Sequence, residues 1–240
     1  MMRTLHTAWS SFMFGLFFLL LFPFLLVPIL FPSQFRLTGI FNRWWAKCFF
    51  TFSLVPYEIE VRGSLDRNKK YIFCANHFSY FDIPAFGLNP INTVFVGKNS
   101  MEKIPLFGFM YGRLHITVDR KSLRSRGNTL LASMKAIDEG KNLAVFPEGG
   151  MITEHPPRMA KFKDGAFRVA VEKQILIVPV TIPFNWKVLP DAEPLRLQRG
   201  KVKIIFHEPI DTKGLTLEDV PKVREQVFSV IDAELKKANS

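Results

Sequence analysis

Cysteine is nearly absent from this chain of 240 residues, which carries only Cys48 and Cys74. A disulfide scaffold is therefore excluded, and so is a CxxC-type zinc or redox centre. No period runs through the sequence, which removes collagen, coiled coils and repeat arrays. Acidic residues are missing from the beginning of the chain. The first is Glu58, and the four charges before it, Arg3, Arg36, Arg43 and Lys47, are all positive. Charge of either sign is absent from Phe12 to Phe31, 20 residues reading FMFGLFFLLLFPFLLVPILF. No small-residue cleavage site follows that run, since Phe31-Pro32-Ser33-Gln34-Phe35 fits a signal peptide poorly.

Phenylalanine is abundant, with 25 residues, and 12 of them fall within residues 1–55. Apolar residues make up 48% of the chain, too many for an intrinsically disordered protein. The uncharged run reaches roughly 30 Å at about 1.5 Å per helical residue, the hydrocarbon thickness of a bilayer. A buried helix of a soluble protein is the alternative, disfavoured because nothing polar interrupts any face. Pro23 and Pro28 each remove a backbone donor and favour a kink. A second segment, Phe41 to Leu54, sets Trp44, Trp45, Phe49, Phe50 and Phe52 around Arg43 and Lys47, a composition suited to the headgroup level. Residues 1–55 are thus expected to form two membrane-anchoring helices, the first inserted and the second lying in the interface. Whether the first crosses both leaflets is left open. The positive-inside rule places the following domain on the cytoplasmic side of an inner membrane.

Residues 56–240 form the second unit, with 28 basic and 21 acidic residues, or +7 of the chain's +11. Tyr57 to Val61 alternates with period two, and short apolar runs follow at Tyr71–Ala75, Thr93–Val96, Leu143–Phe146, Ile175–Ile182 and Val202–Phe206. Helices are predicted at about 101–111, 122–139, 164–173 and 217–237. In the last, Val220, Val223, Val227, Ile231 and Leu235 recur at spacings of three and four, and Thr216 with Asp219 has capping-box form. The alternation predicts an α/β fold, a mixed, mostly parallel sheet with helices on both faces. Functional sites in such sheets gather where strands end. Pro179, inside the run Ile177-Val178-Pro179-Val180, predicts an edge strand or a bulge.

Three groups of residues carry chemistry. The first is Ala75-Asn76-His77-Phe78-Ser79-Tyr80-Phe81-Asp82. Five helical residues rotate about 500°, which leaves His77 and Asp82 some 140° apart, so they meet only if the chain turns between them. Pro84 supports such a turn. A carboxylate on one imidazole nitrogen fixes the tautomer and frees the other as a base. The bland reading makes Asp82 an N-cap and His77 a satisfied loop residue. The second is Phe146-Pro147-Glu148-Gly149-Gly150, where an acidic group and two glycines follow an apolar strand; a functionless turn explains it equally well. The third is the basic run from Lys98 to Arg126, ordinarily a solvated face, in which Arg120 and Lys121 follow the apolar segment Leu114–Val118 and could project from a strand end to hold a phosphate. Cys74 stands three residues before His77, and its side of the strand is left open. His6, His77, His115, His155 and His207 offer no ligand pair at helical spacing, so no metal is expected. The positive charge alone would suit nucleic acid, but no groove-reading motif accompanies it, so no nucleic-acid partner is expected.

Taken in order, NHFSYFD, GRLHITVDR, FPEGG and VPV resemble the blocks of the glycerolipid acyltransferase superfamily, and most closely the bacterial 1-acylglycerol-3-phosphate acyltransferases. The resemblance spans about residues 56–210 and extends to the N-terminal two-helix element. It implies transfer of a fatty acyl group from a thioester of acyl carrier protein or coenzyme A, a substrate rather than a cofactor, to the hydroxyl of a membrane lysophospholipid. His77 would then be the general base and Asp82 its orienting partner. Arg120 would grip the acceptor's phosphate with help from Lys98, Glu148 and Gly149 would shape the acceptor site, and Asn76 joins them by its place in the motif. Two departures touch the acceptor side. Gly150 and Met151 stand where the family block usually continues with Thr or Ser and Arg, leaving Arg158 as the nearby cation to take over that charge. Gly112 precedes Arg120 by eight residues rather than about six. These departures keep a second acceptor, a lyso-aminolipid, in view beside lysophosphatidic acid. A lipid-binding membrane protein without chemistry is the remaining alternative.

Overall fold

The computed structural model describes residues 2–119 and 121–240. Two helices open the chain, α1 at Met2–Leu30 and α2 at Arg36–Phe52, joined through a short 3-10 turn at Pro32–Gln34. Strands and helices then alternate: β1 Tyr57–Val61, β2 Tyr71–Ala75, α3 Asp82–Gly87, β3 Thr93–Lys98, α4 Phe107–Leu114, β4 Ile116–Val118, α5 Leu123–Asp138, β5 Asn142–Val145, α6 Gly165–Lys173, β6 Leu176–Thr181, α7 Asn185–Val188, β7 Val202–Phe206 and α8 Val220–Asn239. The seven strands form one sheet in the order β1-β7-β6-β2-β5-β3-β4. All neighbours pair in parallel except β6 with β7. The mostly parallel α/β sheet expected from the alternation is the one found.

Every residue of β2 is buried, as expected of a central parallel strand covered on both faces. Ile72 and Cys74 point into a core shared with α5, α6 and α8. Tyr71, Phe73 and Ala75 point to the opposite core, closed by Phe86 of α3 and Tyr111 of α4. The edge strand β1 is protected differently. Glu58 and Glu60 bridge to Lys203 at 2.9 and 2.7 Å, which discourages pairing with another chain.

Pro179 is not on an edge. It sits in β6, opposite Cys74 of β2, with β7 on the other side. Its carbonyl accepts from His207 N at 3.0 Å, so its missing donor faces the β7 side as well. There the ladder is already broken: Val180 pairs with Phe206, yet Ile177 bridges to Ile210 rather than to residue 209. The extra residue is a bulge, and the proline lies against it.

The first two helices form an antiparallel hairpin. Trp9 Nε1 donates to Phe52 O at 2.8 Å, Phe14 meets Trp45 edge-on at 4.7 Å, and Phe24 meets Phe41 at 5.8 Å. α1 is long and apolar enough to cross a membrane, yet it also runs along the α/β body. Thr7 Oγ accepts from Leu197 N, Phe18 packs on Phe107 at 5.6 Å, and Leu25 is buried. Its other face leaves Leu5, Phe12, Leu19, Leu20, Phe24 and Leu30 exposed. Arg43, expected at the headgroups, is turned inward. Its guanidinium donates to Asn89 O, Pro90 O and Asn92 Oδ1 at 2.9–3.1 Å and staples α2 to the turn between α3 and β3. Carbonyls that end a helix are short of donors, and a planar guanidinium can satisfy several at once.

Gly39 lets this staple close. A Cβ there would lie 2.5 Å from the Cβ and Oδ1 of Asn92. Gly39→Val should destabilise the protein by about 1–3 kcal/mol through overpacking. Thermal melts in detergent should show a Tm lower by several degrees, whereas Gly15→Ala, where nothing lies within 4 Å of the added carbon, should melt like the parent. Equal melting of Gly39→Val and the parent would contradict this packing.

Candidate active site

Parallel strands align their carboxyl ends on one edge of the sheet. Cys74, Val145, Val96 and Ile116 lie level across β2, β5, β3 and β4. His77 and Glu148 come three residues beyond that row and Lys98 two. The first two motifs and the start of the basic run therefore meet at one place. Arg120 lies outside the described residues.

The chain leaves β2 and turns back before α3. Asp82, in the first turn of α3, directs its carboxylate into that turn. Its Oδ2 accepts from Phe78 N at 2.7 Å, from Ser79 N at 2.8 Å and from His77 Nδ1 at 3.0 Å. Two backbone donors keep Oδ2 an acceptor, so the proton between the two side chains belongs to Nδ1, and in the neutral ring Nε2 is the bare nitrogen. The Asp82 side chain is 1% exposed and that of His77 13%. The imidazole also stacks on Phe146, with ring centroids 4.1 Å apart and planes 20° from parallel.

Glu148 stands behind the histidine. Its Oε1 accepts from His77 N and its Oε2 from Ala160 N, both at 2.7 Å, and the residue is fully buried. Burial pushes its carboxyl up to about 7, against the pull of those two backbone donors, and the nearby Asp82 charge adds to the rise. Glu148 thus fixes backbone instead of facing open space. Asn76 does the same. Its amide donates to Ile182 O at 2.9 Å and accepts from Ile182 N at 2.7 Å, joining the ends of β2 and β6. Being fully buried with both ends engaged, it lies behind the site, not in its lining. Gly149 and Gly150 have φ of +86° and +149°, conformations that disfavour a side chain. Lys98 is exposed at the end of β3. Arg158 is exposed in a turn whose Arg158 N–H donates to His155 O. Cys74 is fully buried in the core and burial pushes its thiol up, which leaves no thiolate for chemistry.

An apolar cavity of about 160 Å³ opens beside the turn. Tyr80, Ile83 and Pro84 bound it on one side, Phe14, Phe18 and Leu21 of α1 on another, and Phe95, Met110 and His115 at its wall. His115 Nδ1 accepts from Phe95 N at 3.2 Å, and burial lowers its pKa to about 4, so a neutral ring faces the cavity. Phe146, Tyr80 and the α1 residues are parts of the site that motif spacing did not single out; their signal was apolar character, shared with the whole core.

A buried carboxylate, a histidine held against it through Nδ1 and an apolar cavity alongside meet at the carboxyl edge of this α/β sheet. Residues 58–183 match the family model described as Acyltransferase. A 1-acyl-sn-glycerol-3-phosphate acyltransferase of Haemophilus influenzae is 30% identical over 84% of this chain and 85% of its own. A lyso-ornithine lipid O-acyltransferase of Pseudomonas aeruginosa is 28% identical over 81% and 78%. The crystal structure of the 1-acyl-sn-glycerophosphate acyltransferase of Thermotoga maritima shares the fold, with a TM-score of 0.80 at 23% identity over 99% of this chain and 96% of that one. The chain belongs to the acyltransferase family. It spans about half the length of the chloroplast relatives it matches.

Glu148→Gln should expose the cost of this backbone clamp. One acceptor oxygen becomes a donor facing a buried N–H, a loss of about 1–3 kcal/mol. The raised carboxyl also has a pH signature. The folded protein holds the Glu148 proton more tightly than the unfolded chain, whose carboxyl titrates near 4.5. Stability from this group therefore falls as pH rises from 4.5 to about 7. The Tm of the parent minus that of Glu148→Gln should grow as pH is lowered through that window. A difference independent of pH would contradict the assignment.

Proposed function

We propose that this protein transfers a fatty acyl group from a thioester to the free hydroxyl of a lysophospholipid, most simply 1-acylglycerol-3-phosphate, giving phosphatidic acid. The observation that carries the proposal is the His77 Nδ1–Asp82 Oδ2 contact, which leaves Nε2 of a fixed ring as a base. The hydroxyl oxygen attacks the thioester carbonyl as its proton passes to Nε2. The tetrahedral intermediate then collapses, the C–S bond breaks, and the thiolate leaving group takes up the proton. General-base assistance of this kind contributes roughly 10²–10⁴-fold. Residues 56–240 form the catalytic domain in this reading. Residues 1–55 anchor it, with α1 lying in one leaflet rather than crossing two, because its contacts from Thr7 to Leu25 keep it against the α/β body. The basic residues that follow the apolar run set the domain on the cytoplasmic side. The donor is acyl carrier protein or coenzyme A, whose anionic character suits the chain's charge of +11.

A lyso-aminolipid is the second acceptor reading. It is favoured by Met151 standing where the family block has Arg, and by the likeness to the lyso-ornithine lipid O-acyltransferase.

Thioester-dependent acylation of lysophosphatidic acid tests the proposal. His77→Ala should lose at least nine-tenths of the turnover while keeping its fold and membrane attachment, and Asp82→Asn should lose less, since the imidazole remains. Acylation undiminished in His77→Ala would end the general-base assignment. The cavity is the place for the donor's acyl chain. Leu21→Trp should fill part of it and shift preference toward shorter acyl thioesters, read as the ratio of kcat/KM across chain lengths. An unchanged ratio would place the chain elsewhere.

A further inference from the structure

We infer that Lys163 holds the acceptor's anionic head group, a phosphate monoester, at the mouth of the site. The inference rests on the acyl-transfer reading and names the residue that takes the charge. Two hydrogen bonds lay the segment before α6 along the Pro147–Gly149 turn: Ala160 N donates to Glu148 Oε2, and Lys163 N donates to Pro147 O at 2.9 Å. The lysine side chain then folds over Gly149 so closely that a Cβ built there would come 2.4 Å from Nζ and 2.8 Å from Cε. The same Glu148 holds the His77 backbone through its other oxygen, so one carboxylate ties the backbone of His77 to the segment that carries Lys163.

Among the described residues no carboxylate neutralises the ammonium. Both oxygens of Glu148 are taken by backbone donors, Asp82 Oδ2 is committed to its own turn, and Asp164 pairs with Arg224. Among the described residues the Lys163 side chain has no ion-pair or hydrogen-bond partner. Three donors on an uncompensated cation suit a phosphate, through charge-assisted hydrogen bonds. The position also accounts for two sequence features. Met151 has lost the cation usual in the family block, and Lys163 brings one to the same turn from the other side. Glycine at 149 leaves room for the lysine to lie against the backbone.

The full-length protein in detergent–lipid micelles supports two measurements. In steady-state kinetics, Lys163→Ala should raise KM for lysophosphatidic acid about tenfold or more while leaving KM for the thioester within about twofold. Lys163→Arg should recover most of the loss, and Lys161→Ala, the same charge change two residues away, should behave like the parent. Independently of turnover, acetylation of Lys163 by an amine-reactive ester, followed by peptide mass spectrometry of the parent, should be slowed by lysophosphatidic acid and not by monoacylglycerol. Protection without any acyl transfer would leave the head-group contact standing and overturn the reaction. Transfer without protection or without the acceptor-specific KM change would leave the reaction standing and overturn the role of Lys163. A rise in the thioester KM instead would assign the ammonium to the donor and likewise overturn it.

Discussion

One carboxylate oxygen, Oδ2 of Asp82, takes three hydrogens: two from the backbone of Phe78 and Ser79 and one from His77. The backbone bonds shape the turn, and the turn brings the histidine into reach of the third. A charged acceptor roughly doubles the strength of such bonds, and burial removes competing water. The imidazole is then fixed by a group that cannot move without unmaking the start of α3. Phe146 fixes the ring's plane from the other side. The useful nitrogen is the one left over.

Behind this turn lies a second tier of buried polar groups used as backbone clamps. Asn76 supplies the pair of hydrogen bonds that a continuing strand would have made to Ile182. Glu148 supplies two more, reaching across from β5 to the end of β2 and to the segment before α6. Parallel strands end with unsatisfied donors and acceptors, and a site built there must either satisfy them or leave them to water. Asn76 and Glu148 satisfy them, which ties the loops of the carboxyl edge to the sheet beneath. The cost of burying Glu148 appears as its raised pKa.

The sheet was legible because its strands are short, almost wholly apolar and separated by helices of clear period, as in β2 and α8. The His77–Asp82 contact was legible in part: the five-residue spacing allows it only through a turn, and Pro84 supports one, while the bland reading of an N-cap and a loop histidine stayed open until the fold brought the two side chains together. What spacing does not carry is the direction of a side chain once the chain has folded. Arg43 reads as an interfacial cation and instead caps carbonyls around Asn89. Pro179 reads as an edge residue or a bulge, and spacing does not choose between them; the fold places it in the middle of the sheet against a bulge of the neighbouring strand. Asn76 reads as part of a binding motif but spends both ends of its amide on Ile182. Lys163, 15 positions after Glu148, has no sequence signal beyond its charge, and only the folded turn sets it against Gly149.

The hairpin of α1 and α2 completes the site instead of merely carrying it. Phe14, Phe18 and Leu21 form one wall of the apolar cavity, while Leu19, Leu20 and Phe24 face outward on the same helix. In the proposed reaction a lipid chain passes from bilayer to cavity across a single helix, and its reacting end meets the edge of the sheet beside the proposed base. That base depends on the protonation of one nitrogen, which nitrogen-15 NMR of imidazole-labelled protein reads directly. In its neutral form the His77 ring should show Nδ1 carrying the proton and Nε2 bare, with the distinction lost in Asp82→Asn. A parent protein with the proton on Nε2 would contradict the arrangement at its centre.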